Sequence, residues 1–219
     1  YGIVGNDDLG GRRFMYLPDS YLIASGGYNF GTIISTNQIS SLEGTVGNPV
    51  VTWEKSQKSN YGVDFRILEG KLGFTFDYFY EYRNNILTTR NTVPVILSFT
   101  LPAVNVGKVE NKGFEWEAKW RDKTSNFSYF LTGNMSFARN KIIYMDEIPK
   151  TEKYLEQTGR SVGARWGYVF DGFWTAEEAA NYEDFPDHFY IPKAGDARYK
   201  DLNNDSVVNS LDQQVIGYP

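Results

Sequence analysis

Long stretches in which apolar and polar residues alternate constrain this chain more than any other feature. Residues 113–121 read GFEWEAKWR, with Phe114, Trp116 and Trp120 on even positions and charged side chains on the odd ones. Successive side chains of an extended strand point to opposite faces, so this stretch has one apolar face and one charged face. The fold therefore depends on whether the aromatic face is buried in the core of a soluble protein or lies against lipid.

The same alternation predicts two β-hairpins, one over about 53–87 and one over about 108–140. LEGK at 68–71 predicts a tight reversal in the first hairpin, with Gly70 free to adopt a positive φ. DKTSN at 122–126 predicts the short turn of the second, and a longer connection over about 88–106 links the two hairpins. The members of the predicted apolar face are Phe74, Phe76, Tyr78, Phe114, Trp116 and Trp120.

Two properties of these strands favour a membrane barrel over a soluble sandwich. They are roughly twice the length of about 5 to 6 residues that is usual in globular proteins, and they match the roughly 9 to 11 needed to cross a bilayer. Their apolar face is also aromatic to its ends, as in the aromatic girdles of outer-membrane barrels. The alternative is a soluble extracellular β-sandwich, a binding module for carbohydrate with a calcium loop, in which the same aromatics are buried against a second sheet.

Composition argues against several other classes of protein. The formal net charge is −5, which disfavours nucleic-acid binding. There is no cysteine, so disulfides, zinc–thiolate sites and thiolate nucleophiles are excluded for this sequence. The single histidine, His188 in PDHFY, is predicted to be a loop residue without a positioned catalytic partner. We therefore expect no catalytic residue and no enzyme activity.

The flanking regions are less regular. The first fifty residues are rich in turn residues and are interpreted as loops, with IISTN at 33–37 as a short strand. After residue 140 the alternation fades, which predicts a loop region over about 141–219. Within it, TEKYLEQTG predicts a helical turn, and TAEEAANYEDF predicts a short helix with Thr175 as N-cap and Glu178 at the capping-box position.

Aromatic residues in the loop region are candidate binding residues. SVGARWGYVFDGFW at 161–174 is predicted to hold a strand pair. Its aromatics are interpreted as exposed, where they either stack on the apolar faces of sugar rings or pack the loops together. The candidates for contact with a substrate are Trp166, Tyr168, Phe173 and Trp174.

DLNNDSVVNSLD at 201–212 has the ligand spacing of an EF-hand calcium loop. The candidate ligands at positions 1, 3, 5, 7, 9 and 12 are Asp201, Asn203, Asp205, Val207 through its carbonyl, Asn209 and Asp212. Two departures weaken the match: Ser206 replaces the turn glycine, and an aspartate replaces the final glutamate. The alternative is a metal-free Asx-rich turn before a short helix, with Ser210 as N-cap and Gln213 three residues on.

Several of these segments resemble one known family. NVGKVENKGFEWEAKW at 105–120 resembles a barrel strand of TonB-dependent outer-membrane receptors, and 51–87 resembles the strand pair that precedes it. SVGARWGYVFDGFW and GDARYKDLNNDSVVNSLDQQVIGYP are similar to a block of the SusC/RagA-like branch of that family. The resemblance covers most of residues 1–219.

This resemblance implies part of a roughly 22-stranded antiparallel transmembrane β-barrel in the bacterial outer membrane. The family's plug domain, TonB box and signal peptide are not found in this sequence, so we interpret it as a fragment of the barrel. The implied activity is import of glycans or oligopeptides, and the implied partners are TonB, a SusD-like surface lipoprotein and membrane lipid. Short turns would face the periplasm, and residues 88–106 and 141–200 would be extracellular.

Overall fold

A computed structural model describes residues 1–7, 14–18, 22–29, 37–42, 44–92 and 101–219. The chain divides into two compact units, Tyr1–Ile148 and Pro149–Pro219. No helix among the described residues is long and apolar enough to cross a membrane.

The first unit is built from antiparallel strands. They are β1 (Gly2–Asn6), β2 (Leu22–Asn29), β3 (Asn37–Leu42), β4 (Glu54–Ile67), β5 (Leu72–Thr88), β6 (Val104–Thr124) and β7 (Phe127–Tyr144). Five of them form one sheet in the order β1-β4-β5-β6-β7, and β2 pairs with β3 separately. Strands β4 to β7 have 14 to 21 residues each, and adjacent ones pair over nearly their whole length.

The turn between β4 and β5 places three consecutive residues, and not only its glycine, at positive φ. Gly70 has φ +85°, as expected, but Leu68 and Glu69 are also left-handed, at +55° and +54°. The Gly70 N–H donates to the Ile67 carbonyl at 3.2 Å, which closes a turn of the mirror-image type that matches the strand twist. Each left-handed non-glycine residue costs about 1–2 kcal/mol, so the long ladder on either side must hold the turn.

Phe79 is the one aromatic on the polar side of β5, and the register explains it. Phe79 pairs with Gly113, which pairs with Ala138 on the next strand. A Cβ on Gly113 would lie 2.6 Å from the tip of the Phe79 ring and 2.2 Å from the Phe137 carbonyl oxygen. The ring therefore covers the bare backbone of the glycine, an arrangement that shields strand glycines from water.

The prediction of loops throughout the first fifty residues was wrong. β1 pairs with β4 from Gly2 opposite Lys58 to Asn6 opposite Glu54, and β2 and β3 are also strands. β1 has no alternation, and all five of its residues are exposed. Its extended state therefore comes from backbone pairing along the edge of β4. Most of the predicted strand IISTN, residues 33–36, lies outside the described residues, as does 93–100 within the connection after β5.

At the end of the sheet opposite the short turns, the Asn105 side-chain amide and the Asp146 carboxylate form hydrogen bonds with neighbouring segments of the chain. Asn105 donates from Nδ2 to the carbonyls of Thr52 and Asn85, and its Oδ1 accepts from the Thr52 N–H. Asp146 accepts from the Thr92 hydroxyl and from the backbone N–H groups of Asn91 and Thr92. These donors, led by the Thr92 hydroxyl, hold the pKa of Asp146 below its usual value.

The second unit contains short strands and single helical turns. The strands are β8 (Arg165–Tyr168), β9 (Phe170–Phe173), β10 (Asp187–His188), β11 (Ala197–Tyr199), β12 (Val207–Val208) and β13 (Gln213–Gly217). The helices are the 3₁₀ turns Lys153–Leu155, Tyr182–Asp184 and Ser210–Asp212, and the α-helix α1 (Ala176–Ala180). The capping box predicted at Thr175 and Glu178 is confirmed, and so is a helical turn within TEKYLEQTG.

The strand pair predicted within SVGARWGYVFDGFW was wrong in its pairing. β8 and β9 are both present, but β8 pairs with β13 and β9 pairs with β11. β10 and β12 form a short parallel pair. Each partner therefore comes from a distant part of the unit, which closes the segment into a small compact body.

Candidate functional site

The register of the first unit gathers its aromatic residues on one face. Directly paired residues of an antiparallel sheet share a face, so each row across the strands has one character. The apolar rows are Tyr61–Tyr78–Phe114–Phe137, Val63–Phe76–Trp116–Met135, Phe65–Phe74–Ala118–Gly133 and Ile67–Leu72–Trp120–Leu131. All six residues predicted for the apolar face belong to these rows.

No second layer among the described residues of the first unit covers this aromatic face. Among the described residues of the first unit, the one buried apolar side chain is Ala103. On the face itself Tyr61 is 66% exposed and Leu131 is 71% exposed. The rings contact mainly one another: Phe65 lies 5.1 Å from Phe74, and Phe114 lies 5.8 Å from Phe137. The sandwich alternative requires these rings to be buried, and they are not.

The apolar run on β7 has the height of a membrane band. The positions of this strand on the aromatic face are apolar or glycine from Phe127 to Phe137. The rings of Phe127 and Tyr129 stack, with centroids 5.9 Å apart, at the end of this run nearest the short turn. Ten residues of strand span about 33 Å, which at a tilt of about 40° corresponds to about 25 Å across a bilayer. Tyr80 and Tyr82 continue the aromatic character of β5 at the other end.

The opposite face of the sheet is polar, and its side chains bond across the strands. The Thr75 hydroxyl donates to Asp64, and the Ser136 hydroxyl donates to Glu115. Near the end of the sheet opposite the short turns, the Glu81 carboxylate accepts from the Ser56 hydroxyl. Two cations lie close to the same carboxylate: Lys58 at 3.6 Å and Arg83 at 2.8 Å. Such a face is stable only against water or a polar filling.

In the second unit Trp174 is a core residue, which corrects its prediction as an exposed binding aromatic. Its side chain is 2% exposed and packs edge-on against Phe185 and His188, each with ring centroids 5.2 Å away. Its indole N–H donates to the Tyr190 hydroxyl at 3.2 Å. Because no face of the indole is open, Trp174 has no surface to offer a sugar ring.

Arg198 extends this core and was missed by sequence reasoning. Its guanidinium carbon lies 5.7 Å from the ring centroids of both Trp174 and Phe185. It also pairs with Glu178, at 2.7 Å, and with Asp171, at 3.4 Å. The first-turn position of Glu178 is a sequence signal for a helix cap. Nothing in the sequence around Glu178 indicates that it pairs with an arginine twenty residues away.

The prediction of His188 as a loop residue was also wrong. His188 lies in β10, and its side chain is buried. The nearby hydrogen bonds assign its tautomer: Nδ1–H donates to the Pro186 carbonyl at 2.7 Å, and Nε2 accepts from the Tyr199 N–H at 3.3 Å. Both ring nitrogens are thus engaged by backbone, which gives His188 a packing role.

The other three candidate aromatics differ in exposure. Phe173 is 65% exposed and packs edge-on against Phe170, which is 52% exposed. Tyr168 is half-buried between Phe189 and Tyr199, and Trp166 is half-buried on β8. Of the four predicted aromatics, Phe173 therefore presents the most open ring.

The loop at 201–212 is closed by its own backbone amides. Asp201 accepts from the N–H groups of Asn204, Asp205 and Ser206, the last at 2.8 Å. The Asp212 carboxylate is fully buried and accepts from the N–H groups of Leu202, at 2.7 Å, and Asn209, at 2.8 Å. Ser206, at the position of the turn glycine in EF-hand loops, has φ +67° and is thus in the left-handed conformation.

The helix after this loop starts one residue earlier than predicted. Asn209, not Ser210, is the N-cap of Ser210–Asp212, and Asp212 completes a capping box with the Asn209 N–H. No group of three or more acidic or histidine side chains in the described ranges is arranged to hold a metal ion. The calcium site thus stays a prediction, which calorimetric titration of the full-length protein with Ca²⁺ tests, with Asp201→Ala as the control.

Comparison with known proteins places this sheet in a family. The chain matches the TonB dependent receptor-like β-barrel family over residues 13–217. It is 26% identical to TonB-dependent receptor P26 of Formosa agariphila over 199 residues, which are 86% of this chain and 20% of the relative. It is 27% identical to TonB-dependent receptor SusC of Bacteroides thetaiotaomicron over 161 residues, 71% of this chain and 15% of the relative.

Solved structures show the same fold. The RagAB peptide importer in its open-open state superposes with a TM-score of 0.58 at 15% identity, over 98% of this chain and 21% of that chain. The closed-closed state gives a TM-score of 0.56 at 16% identity.

The chain belongs to the TonB-dependent receptor β-barrel family. The resemblance to the SusC and RagA branch is confirmed by these relatives, and the all-β fold is that of part of an outer-membrane barrel protein. The chain spans about a fifth of the length of the curated relatives it matches.

Proposed function

We propose that the protein containing this chain imports nutrients actively across the outer membrane. The proposed cargo is glycans or oligopeptides, the proposed energy source is TonB, and the proposed partner is a SusD-like surface lipoprotein. The observation that carries the proposal is the division of one long sheet into an uncovered aromatic face and a hydrogen-bonded polar face, in a chain of this family. The chain contributes a wall to the transporter and no catalytic group.

In this proposal the aromatic face meets lipid and the polar face lines the lumen. Phe74, Phe76, Tyr78, Phe114, Trp116 and Trp120 are the proposed lipid-facing residues. Moving an aromatic side chain fully from water into lipid is favourable by about 1.5–3 kcal/mol. If the face met water instead, this stabilisation would be lost for each aromatic residue. The charged rows on the other face would be costly in lipid, which supports this orientation of the sheet.

Loop length then assigns the two ends. The short turns at 68–71 and 125–126 lie at one end of the sheet, and the long connection after β5 lies at the other. Outer-membrane barrels keep short turns in the periplasm. The connection at 88–106 and residues 141–200 would then be extracellular, on the side where a lipoprotein lid and cargo are expected. There Trp166, Tyr168 and Phe173 are the proposed cargo contacts.

Uptake by living cells tests the import proposal. A strain without the full-length protein receives a mixed pool of oligopeptides and, separately, of glycans, and mass spectrometry follows their depletion from the medium. We expect one class to remain unconsumed, and the same class to remain when TonB is removed. Unchanged depletion of both classes would contradict the proposal.

Fluorescence quenching tests the lipid-facing assignment. The full-length protein is reconstituted in vesicles of brominated phosphatidylcholine, and quenching is compared between the parent, Trp116→Phe/Trp120→Phe and Trp174→Phe. We expect the first variant to lose more of the lipid-quenchable emission than Trp174→Phe loses. Trp174→Phe is the control because Trp174 is enclosed by protein. An equal quenchable fraction in all three proteins would place Trp116 and Trp120 away from lipid.

A further inference from the structure

The second unit contains a cavity of about 430 Å³. Its wall is formed by residues of β9, β11 and α1, together with the segments 185–188 and 200–204. Small-molecule sites in proteins have volumes of about 300–1,000 Å³, so the cavity has room for a small ring. The proposed cargo contacts Trp166, Tyr168 and Phe173 do not line it. The cavity is therefore a separate surface of this unit.

One part of the cavity wall is apolar and is held in place by the core of the unit. Phe185 and His188 line the cavity, and each packs edge-on against the buried Trp174 with ring centroids 5.2 Å away. Tyr199 also lines it, and its backbone N–H donates to His188 Nε2 at 3.3 Å. Pro186 completes the apolar part. Flat apolar groups of this kind can cover the C–H face of a sugar ring.

The other part of the wall is polar, and one of its carboxylates is held by charge alone. Asp171 lies 3.4 Å from the Arg198 Nε and 3.8 Å from the Lys200 ammonium. Neither contact is a hydrogen bond, because the Arg198 Nε–H has no acceptor among the described residues and 3.8 Å is too long. The Asp171 and Lys200 side chains are 40% and 50% exposed, so a ligand in the cavity can reach both.

The charges of the cavity favour a neutral ligand over an ion. Arg198 also pairs with Glu178, at 2.7 Å, and Asp201 accepts hydrogen bonds from its own loop. Three carboxylates and two cations therefore line the cavity, and each cation already has an acidic partner. An anion or an ammonium would meet a like charge in the Asp171–Lys200 pair. Two neighbouring hydroxyls satisfy this pair together, since one donates to the carboxylate and the other accepts from the ammonium.

We propose that this cavity binds one ring of a neutral carbohydrate. Two neighbouring hydroxyls bind the Asp171 carboxylate and the Lys200 ammonium, and the C–H face of the ring packs on Phe185 and Pro186. The inference rests on the proposed function, because it selects glycans from the two proposed classes of cargo. An oligopeptide fits the cavity less well, since both of its ends are charged and its backbone offers no neighbouring hydroxyls.

Saturation-transfer difference NMR of the detergent-solubilised full-length protein tests this inference. The probes are the methyl glycosides of glucose, mannose, galactose and fucose at millimolar concentration, with triglycine as the peptide probe. The variant is Asp171→Asn/Lys200→Met. The matched control is Glu177→Gln/Lys193→Met, which removes one acid and one lysine that do not line the cavity. We expect at least one glycoside to bind the parent, and to bind the variant at least about tenfold more weakly and the control within about twofold.

Hydrogen exchange of residues 165–200 verifies that the unit is folded in both variants, and Lys200→Met alone takes the place of the double variant if that one unfolds. Three results would overturn the inference: no glycoside binding to the parent, equal affinity in variant and parent, and triglycine binding that the variant loses. The uptake experiment separates the two levels of proposal. Import of oligopeptides without any glycoside binding refutes the sugar site alone, whereas unchanged depletion of both cargo classes without the full-length protein refutes import itself.

Discussion

The two units of this chain place their aromatic residues in opposite ways. In the first unit the rings form rows on an open sheet face, and the one buried apolar side chain among its described residues is Ala103. In the second unit, a body of 71 residues (149–219), Trp174 and Val208 are almost completely enclosed. The described part of the first unit thus leaves its rings without a covering layer of its own, whereas the second unit builds its own core.

The contrast also separates two sources of order. The long strands are held by nearly uninterrupted ladders, so each strand is specified by local alternation and by its neighbour in sequence. The short strands of the second unit pair with distant partners and are held by buried groups such as Trp174 and Asp212. Single substitutions should therefore be tolerated differently in the two units, and paired variants of adjacent residues measure that difference.

Trp174→Ala should have the largest effect, because it empties the centre of the second unit. Truncating a fully buried aromatic costs about 3–5 kcal/mol, and the Tyr190 hydroxyl would lose its indole donor. The measurement is the local opening free energy from hydrogen exchange of residues 165–200 in the full-length protein. Phe173→Ala is the control, since the adjacent ring is 65% exposed. Equal effects of the two variants would show that the enclosed core does not stabilise this unit.

Trp116→Arg should have the next largest effect, and it tests the open face. An arginine on the lipid side near the middle of the bilayer costs about 2–4 kcal/mol in outer-membrane barrels. Glu117→Arg, one residue on and on the opposite face, should cost less than about 1 kcal/mol, because its side chain would stand in water. Unfolding of the full-length protein in vesicles by guanidinium gives both values. A larger cost for Glu117→Arg would reverse the assignment of the two faces.

Alternation was enough to predict the long strands and the shared face of their aromatics. It could not predict β1, whose GIVGN sequence carries no periodic signal and is extended only because β4 offers an edge. Nor could it predict that Leu68 and Glu69 adopt positive φ, since that conformation is imposed by the ladder closing around a short turn.

The second unit was less predictable for a different reason. The cap at Thr175 depends on residues three apart and was found, whereas the N-cap at Asn209 was misplaced by one residue because Asn and Ser are both good caps. Burial of Trp174 and His188 depends on partners such as Arg198 and Tyr199, which only the folded unit brings close. An aromatic-rich stretch without periodicity does not distinguish a core ring from an exposed one.

Asp212→Ala should have a smaller effect than Trp174→Ala but a clear one. The substitution leaves the part-buried N–H groups of Leu202 and Asn209 without their carboxylate acceptor, at a total cost of about 1–3 kcal/mol. Hydrogen exchange at residues 202–209 should accelerate. Asp205→Ala is the control, because Asp205 is exposed and accepts from Val207 within the loop. If added Ca²⁺ slows exchange in the parent and not in Asp201→Ala, the loop also binds metal.

The smallest expected effect is a dependence on pH in the second unit, through Glu178. The Thr175 backbone N–H, followed by the Arg198 guanidinium, holds the pKa of Glu178 below its usual value. A lowered carboxyl pKa means that the charged form favours folding. The contribution is complete above the unfolded pKa of about 4.3 and is lost as pH falls through the folded value.

The Trp174 ring reports this change, because the Arg198 guanidinium lies over it. In the full-length protein labelled with 5-fluorotryptophan, the ¹⁹F resonance of Trp174 should shift as pH falls below about 4.3. Glu178→Gln should show the low-pH position throughout, and Glu177→Gln, at an exposed position one residue earlier, should titrate like the parent. A resonance that titrates identically in Glu178→Gln would mean that the core of the second unit does not sense this ion pair.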